Sequence, residues 1–200
     1  MPAAGAALAL LALTVTWTVA LAIGGFAAHM TAHVAAVAVA PPLLVLGRKR
    51  RPGFLAAPMA PLAACAVELV IVWGWHVPAL HAAARGSLAV FALEQLSFLL
   101  AGYGVWASAL PSTGGGSGRS PALSGAGALL VTSMHMTLLG GLLAVSSRSP
   151  YEHAAVDGAP WDQQLGGVIM LAVGGTAYLI GGLALLARAL GEDSGWKGVG

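Results

Sequence analysis

Four histidines are the residues of this sequence whose type and spacing best suit ligand binding. His29 and His33 are four residues apart, so a helix would place them on one face. His135 lies between two methionines. Imidazole suits copper, zinc and iron, and thioether sulfur favours Cu(I). We therefore predict a metal site, with copper as the preferred ion, formed by His29, His33, His76 and His135.

Two carboxylates and an amide accompany these histidines within apolar sequence. Glu68 precedes His76 by eight residues, which is about 12 Å along a helix. Ionisable side chains within a bilayer are costly, and they usually face the interior of a helix bundle. We expect the following residues to balance charge or to orient the imidazoles: Glu68, Glu94, Gln95, Met134 and Met136.

Three further residues have simpler interpretations. A histidine at a helix end is commonly interfacial, which is what we predict for His81 and His153. Cys65 is expected to be a small buried hydrophobe, and because it is the single cysteine a dithiol mechanism of Cu(I) transfer is excluded.

The sequence shows no Ser/His/Asp arrangement in one layer, no phosphate-binding loop and no HExxH pattern. We therefore predict that the protein is not an enzyme.

Composition identifies the elements that must position these residues. Of the 200 residues 58% are apolar and 8% are charged, whereas soluble domains carry about 25% charged residues. So little charge cannot cover a soluble globule, and it also argues against a disordered chain. One cysteine excludes a disulfide scaffold, and a net charge of +2 argues against nucleic acid as a partner. The chain is therefore predicted to be an integral membrane protein surrounded by lipids.

The apolar stretches predict the number of spans. A helix that crosses a bilayer needs about 20 apolar residues, and six stretches meet that requirement. Their length, and their interruption by glycine, proline and charge, favour helices over the short alternating strands of a barrel. We predict an all-α, polytopic membrane helical bundle, a single transmembrane domain over residues 1–200. Its spans are approximately 5–26, 28–47, 54–76, 88–110, 122–146 and 165–190.

The distribution of cations predicts the orientation of the bundle. The cluster RKRR at 48–51 forms a tight loop after the second span. If this loop is cytoplasmic, seven of the nine cations lie inside, and only Arg85 and Arg148 lie outside. The positive-inside rule then places both termini in the cytoplasm. All six histidines fall between mid-depth and the outer side, so the predicted metal site faces outward.

Two polar segments separate the later spans. The stretch 112–120 is rich in glycine and serine and is predicted to be a flexible linker. The segment 147–164 is predicted to be an outer loop, whose three carboxylates would attract a basic partner or a metal ion. We predict that it is a docking surface to which the following residues contribute: Tyr151, Asp162, Gln163 and Gln164.

Several segments together resemble a known family. They are HMTAHVAAVAVAPPLLVLG at 29–47, WGWHVPALHAA at 73–83, ALEQLSFLLAGYGVW at 92–106, MHMTLLGGLLAVSSRSPYEH at 134–153 and DQQLGGVIMLAVGGTAYLIGGLALLAR at 162–188. In order and spacing they resemble the CtaG-type membrane cytochrome c oxidase assembly factor family over roughly residues 28–190. The most specific pieces are HMxxH, the WHxPAL corner and DQQLGGxIM.

The resemblance implies a non-enzymatic factor for assembly of a haem–copper oxidase, which handles copper in the bacterial inner (plasma) membrane. It implies cytochrome c oxidase subunits as partners. The polar positions that match the family are His29, His33, His76, Glu94, His135, Asp162, Gln163 and Gln164. Two departures matter. Family members tend to be longer at the N-terminus, with an additional helix, and the family often has Glu-His where this chain has Glu94-Gln95. Glutamine is a poor ligand for transition metals. A metal site that needs a histidine at position 95 would therefore be altered or lost in this chain.

Two other functions remain open at this point. A b-type haem would be held by bis-histidine ligation, with His135 on one side and His29 or His33 on the other. A small proton-coupled transporter would use Glu68 and Glu94 as relay carboxylates, although no ionisable residue continues through the cytoplasmic half. An optical spectrum distinguishes the first alternative, and proton flux into liposomes distinguishes the second.

Overall fold

The structure is a computed structural model that describes residues 2–46, 55, 57, 59–110, 119–146 and 160–191. Its regular elements are all helices over these ranges, which confirms the all-α prediction. We number them α1 Pro2–Ile23, α2 Phe26–Val45, α3 Ala60–Trp75, α4 Pro78–Gly86, α5 Leu88–Ala109, α6 Arg119–Val145 and α7 Pro160–Gly191.

The prediction of about six spans agrees with the helices. Five of them are long and apolar enough to cross a membrane, namely α1, α2, α5, α6 and α7, and the pair α3 and α4 meets the criterion jointly with a bend of 73°. The last span begins at Pro160, earlier than the predicted boundary of 165. The cation cluster at 48–51, on which the predicted orientation mainly depends, lies outside the described residues, and the location of the termini stays a prediction.

Helix α2, which carries His29 and His33, is the central helix of the bundle. Its span is 67% buried against the other helices, whereas the span in α1 is only 11% buried. The middle of α2, Ala35–Val39, is π-helical, and Pro41 and Pro42 follow after Ala40. Proline lacks an N–H and clashes with the carbonyl four residues earlier, so the regular hydrogen bonds are interrupted here and the prolines occupy the first turn of the α-helical segment Ala40–Val45. Helix α7 contains a second π-helical segment, Met170–Gly175.

The start of α2 is fixed by a residue from the far end of the chain. Gly24 and Gly25 turn the backbone at φ 72° and 79°, a conformation that residues with a Cβ rarely adopt. No side chain next to α2 in sequence caps it. Instead the carboxylate of Asp162, in the first turn of α7, accepts hydrogen bonds from the Phe26 N–H at 2.6 Å and the Ala27 N–H at 3.1 Å. Negative charge at a helix N-terminus is stabilising, so α7 anchors α2.

We expect Asp162→Ala to lower the free energy of unfolding by about 1–2 kcal/mol, the usual cost of losing a helix N-cap. Unfolding in detergent micelles measures this loss. Asp162→Asn is the matched control, because its amide oxygen still accepts one of the two hydrogen bonds, and we expect about half the loss. An equal loss in the two variants would contradict a capping role.

Candidate metal site

The corner between α3 and α4 positions His76. Proline at 78 cannot extend α3, and Val77 is extended, so the chain bends by 73°. At the end of α3 the Nδ1 atom of His76 lies 2.7 Å from the carbonyl oxygen of Val72. A carbonyl oxygen only accepts, so Nδ1 carries the hydrogen and the neutral ring keeps its lone pair on Nε2. A backbone carbonyl commonly fixes the tautomer of a metal-binding histidine in this way.

The same corner brings His81 into the bundle. Helix α4 folds back, and the His81 ring lies 4.6 Å from the His29 ring and 5.1 Å from the Phe26 ring, centroid to centroid. Its side chain is only 1% exposed. The prediction that His81 is interfacial is therefore wrong, because the short helix that begins at Pro78 turns this side chain into the bundle.

His29, His81 and Glu94 together form a potential metal-binding group. They come from α2, α4 and α5, all three are buried, and each offers a ligand atom within 4.8 Å of the other two. The Nε2 atom of His29 is 3.0 Å from the Glu94 carboxylate. Ligand atoms that each lie about 2 Å from one ion are at most about 4 Å apart, so only a small contraction is needed to hold one.

Gln95 supports this group although it brings no imidazole. Its side chain is fully buried, and its Nε2 donates to Glu94 Oε2 at 3.2 Å. The Phe91 ring lies 5.6 Å from the His29 ring. Gln95 therefore holds the carboxylate and Phe91 packs beside the imidazole, while the predicted role of Gln95 toward a bound metal stays a prediction.

His33 and His76 form a second pair beside the first group. Their ring centroids are 5.2 Å apart, and the Phe98 ring lies 3.9 Å from the His33 ring. His33 is fully buried, and within the described part of the chain neither of its ring nitrogens has a hydrogen-bond partner. A buried polar atom without a partner costs about 1–3 kcal/mol, so these nitrogens fit a bound ligand.

We call His29, His33, His76, His81 and Glu94 the histidine cluster, and the structure shows no contact between it and His135. His135 is 6% exposed, and no hydrogen bond or ring contact joins it to another described histidine. Met134 is 71% exposed and faces away from the bundle, and Met136 is buried against Gly174. The four predicted histidines therefore do not meet as one group within the described residues, because His33 pairs with His76, His29 lies beside His81, and His135 contacts none of them.

Glu68 also lies in a different environment from the one that its sequence position suggests. Its side chain is fully buried and contacts the hydroxyl of Tyr178 rather than a histidine. Near it on the same helix, Cys65 is buried as predicted and its sulfur accepts a hydrogen bond of 3.3 Å from Thr132. Glu68 therefore belongs to a separate polar group between α3 and α7.

The DQQ sequence predicted as part of a docking loop lies in the first turn of α7. Asp162 caps α2, and Gln163, only 1% exposed, donates to the Leu143 carbonyl at 3.2 Å. Gln164 donates to the Ser146 carbonyl at 3.5 Å. Asp162 and Gln163 are buried here and join helices, so they offer no docking surface. Tyr151 and His153 lie outside the described residues.

Sequence reasoning missed His81 and Tyr178. The signal for His81 was the proline two residues after His76, because a proline at the start of a new helix predicts that the chain continues as a helix instead of a loop. For Tyr178 no comparable signal exists, because its partners are 110 and 141 residues away in sequence.

Comparison with known proteins gives one match. The family model described as cytochrome c oxidase caa3 assembly factor (Caa3_CtaG) matches residues 3–192. The searches of curated proteins and of solved structures give no match. The matched range includes every residue of the histidine cluster. It begins at residue 3, whereas the resemblance seen in the sequence began at about residue 28.

Proposed function

Because the chain belongs to the cytochrome c oxidase caa3 assembly factor family, we propose that it holds copper as cargo at the histidine cluster and helps deliver it to an oxidase subunit. Its family role implies interaction with cytochrome c oxidase subunits. In this proposal the protein catalyses no reaction, and it resides in the bacterial plasma membrane with the cluster on the outer side.

The observation that carries the proposal is the convergence of His29, His81 and Glu94 from three helices. Two neutral imidazoles and a carboxylate bring one negative charge, which offsets part of the cost of placing a cation inside a membrane protein. The adjoining His33 and His76 add imidazole nitrogens. Among the divalent first-row metals, Cu²⁺ generally binds such nitrogen ligands most tightly.

The cluster is suited to holding a metal that must later leave. The ligand group has no thiolate, because the only cysteine is Cys65, which bonds to Thr132 in another part of the bundle. Imidazole and carboxylate ligands are harder than thiolates and hold Cu(I) less firmly. His29 pairs with His81, and His33, one turn further along α2, pairs with His76. An ion could therefore move between two neighbouring histidine pairs.

Copper titration of the purified protein tests the proposal. We expect one copper ion to bind tightly. Loss of a residue that only hydrogen-bonds to a metal ligand lowers affinity roughly 10–100-fold, and we expect a larger loss for His29→Ala because it removes a ligand itself. His135→Ala is the matched control, because it removes a buried histidine that does not contact the cluster, and we expect unchanged affinity. The absence of binding in either oxidation state, or an equal loss in both variants, would refute the proposed site. A Soret band in the purified protein would favour haem instead.

A further inference from the structure

The carbonyl of Val37 is left without a donor by the sequence of its own helix. In an α-helix it would accept from residue 41 and in a π-helix from residue 42, and both of these are prolines, which have no N–H. The next candidate, the Ala40 N–H, is already donated to the Ala35 carbonyl. A buried carbonyl at this position needs a donor from another helix.

Tyr178 supplies that donor. Its hydroxyl lies 2.7 Å from the Val37 carbonyl oxygen, and its ring stacks on Trp106 with centroids 5.3 Å apart. Because a carbonyl oxygen only accepts, the phenol must donate to it. A phenol has one hydrogen, so Tyr178 then has only lone pairs to offer to its second partner, Glu68.

We infer that Glu68 is a proton-binding site, held as the neutral acid that donates to Tyr178, and that this relay fixes the bulged course of α2. The opposite arrangement, an ionised Glu68 that accepts from Tyr178, would leave the Val37 carbonyl without a donor. It would also bury a carboxylate that forms no ion pair with any described cation. The titratable groups that face Glu68 are Tyr178 on α7 and Cys65 on its own helix, and the uncharged hydroxyl of Thr132 on α6 lies beside it as well.

The relay joins three helices at the bulge. Glu68 is on α3, Tyr178 is on α7, and Val37 is in the π-helical segment of α2. On the remaining side Gly102 of α5 packs so closely that a Cβ there would lie 2.9 Å from the Val37 carbonyl carbon. His33 is one turn before Val37, so Glu68 and Tyr178 act as positioning residues for the part of α2 that carries the histidines. This inference does not depend on which ligand the histidines hold.

Infrared spectroscopy of the full-length protein, at neutral pH in a detergent without ester groups, tests the protonation state. We expect the carbonyl stretch of a protonated carboxylic acid in the wild type, lost in Glu68→Gln and retained in Glu94→Gln. An unchanged band in Glu68→Gln, or no such band in the wild type, would overturn the inference.

Thermal unfolding tests the positioning role with a conservative rescue. Glutamine keeps a donor for Tyr178, so we expect Glu68→Gln to unfold at the wild-type temperature. Glu68→Leu and Tyr178→Phe, which each remove a hydrogen bond of the relay, should unfold several degrees lower. If Glu68→Gln is destabilised as much as Glu68→Leu, or fails to fold, Glu68 is not a neutral donor and the inference is wrong.

Discussion

Replacing Glu94 by alanine is expected to abolish tight copper binding and to destabilise the fold together. The substitution removes the only carboxylate of the group that includes His29 and His81. It also leaves two buried donors, His29 Nε2 and Gln95 Nε2, without their acceptor. Each unsatisfied group costs about 1–3 kcal/mol. Copper titration and chemical unfolding of the same preparation measure the two effects.

Glu94→Gln separates the two roles of this residue. Its amide oxygen still accepts from His29, so we expect wild-type stability. The negative charge is lost, and amide oxygen is a weaker ligand for copper than carboxylate, so we expect the affinity to fall at least about tenfold. If Glu94→Gln binds copper like the wild type, the carboxylate is a structural partner of His29 only and is not part of the metal site.

The helices of this protein could be predicted because the evidence for them is local. Apolar content and length identify a membrane span wherever the helix packs, which is why the predicted spans and the helices coincide closely. The predicted boundaries of the spans were less accurate where a helix ends in polar residues, as at the start of α7. Asp162 and Gln163 look like loop residues in sequence, yet the helix includes them because their side chains satisfy backbone groups of α2 and α6.

The site was predicted only in part, because depth along a helix is readable from sequence and the direction of a side chain around the bundle is not. His135 has a suitable depth, but no hydrogen bond or ring contact joins it to the histidines of α2. Its neighbours show how sharply direction changes, since Met134 is 71% exposed and Met136 is fully buried. His29 and His33 were found because spacing of four within one helix is a local property.

The π-helical segments add a second reason. A π-bulge inserts one residue, which turns every later side chain by about 100° relative to a regular α-helix. Positions counted by α-helical spacing across 35–39 in α2, or across 170–175 in α7, therefore point in the wrong direction. Val37 lies within the first of these segments, and Tyr178 comes shortly after the second. Their hydrogen bond therefore could not be predicted from α-helical spacing in the sequence.

Gly140→Ala is expected to lower the free energy of unfolding by up to about 2 kcal/mol, although alanine is the better helix former. A Cβ on Gly140 would lie 2.9 Å from both the Gly167 carbonyl oxygen and the Leu171 nitrogen. Both atoms belong to the backbone of α7, so the methyl group is accommodated only if the helices separate. Overpacking of this kind costs about 1–3 kcal/mol, against a helix-propensity gain of about 1 kcal/mol.

Gly141→Ala is the matched control for this crossing. It lies next to Gly140 on the same helix, and a Cβ there would meet nothing within 4 Å. We expect unfolding in detergent micelles to show no loss for Gly141→Ala and a clear loss for Gly140→Ala. The start of α7 carries Asp162, which caps α2, so separation of α6 and α7 should also weaken copper binding at His29. Equal stability of the two variants would mean that α6 and α7 do not cross at Gly140.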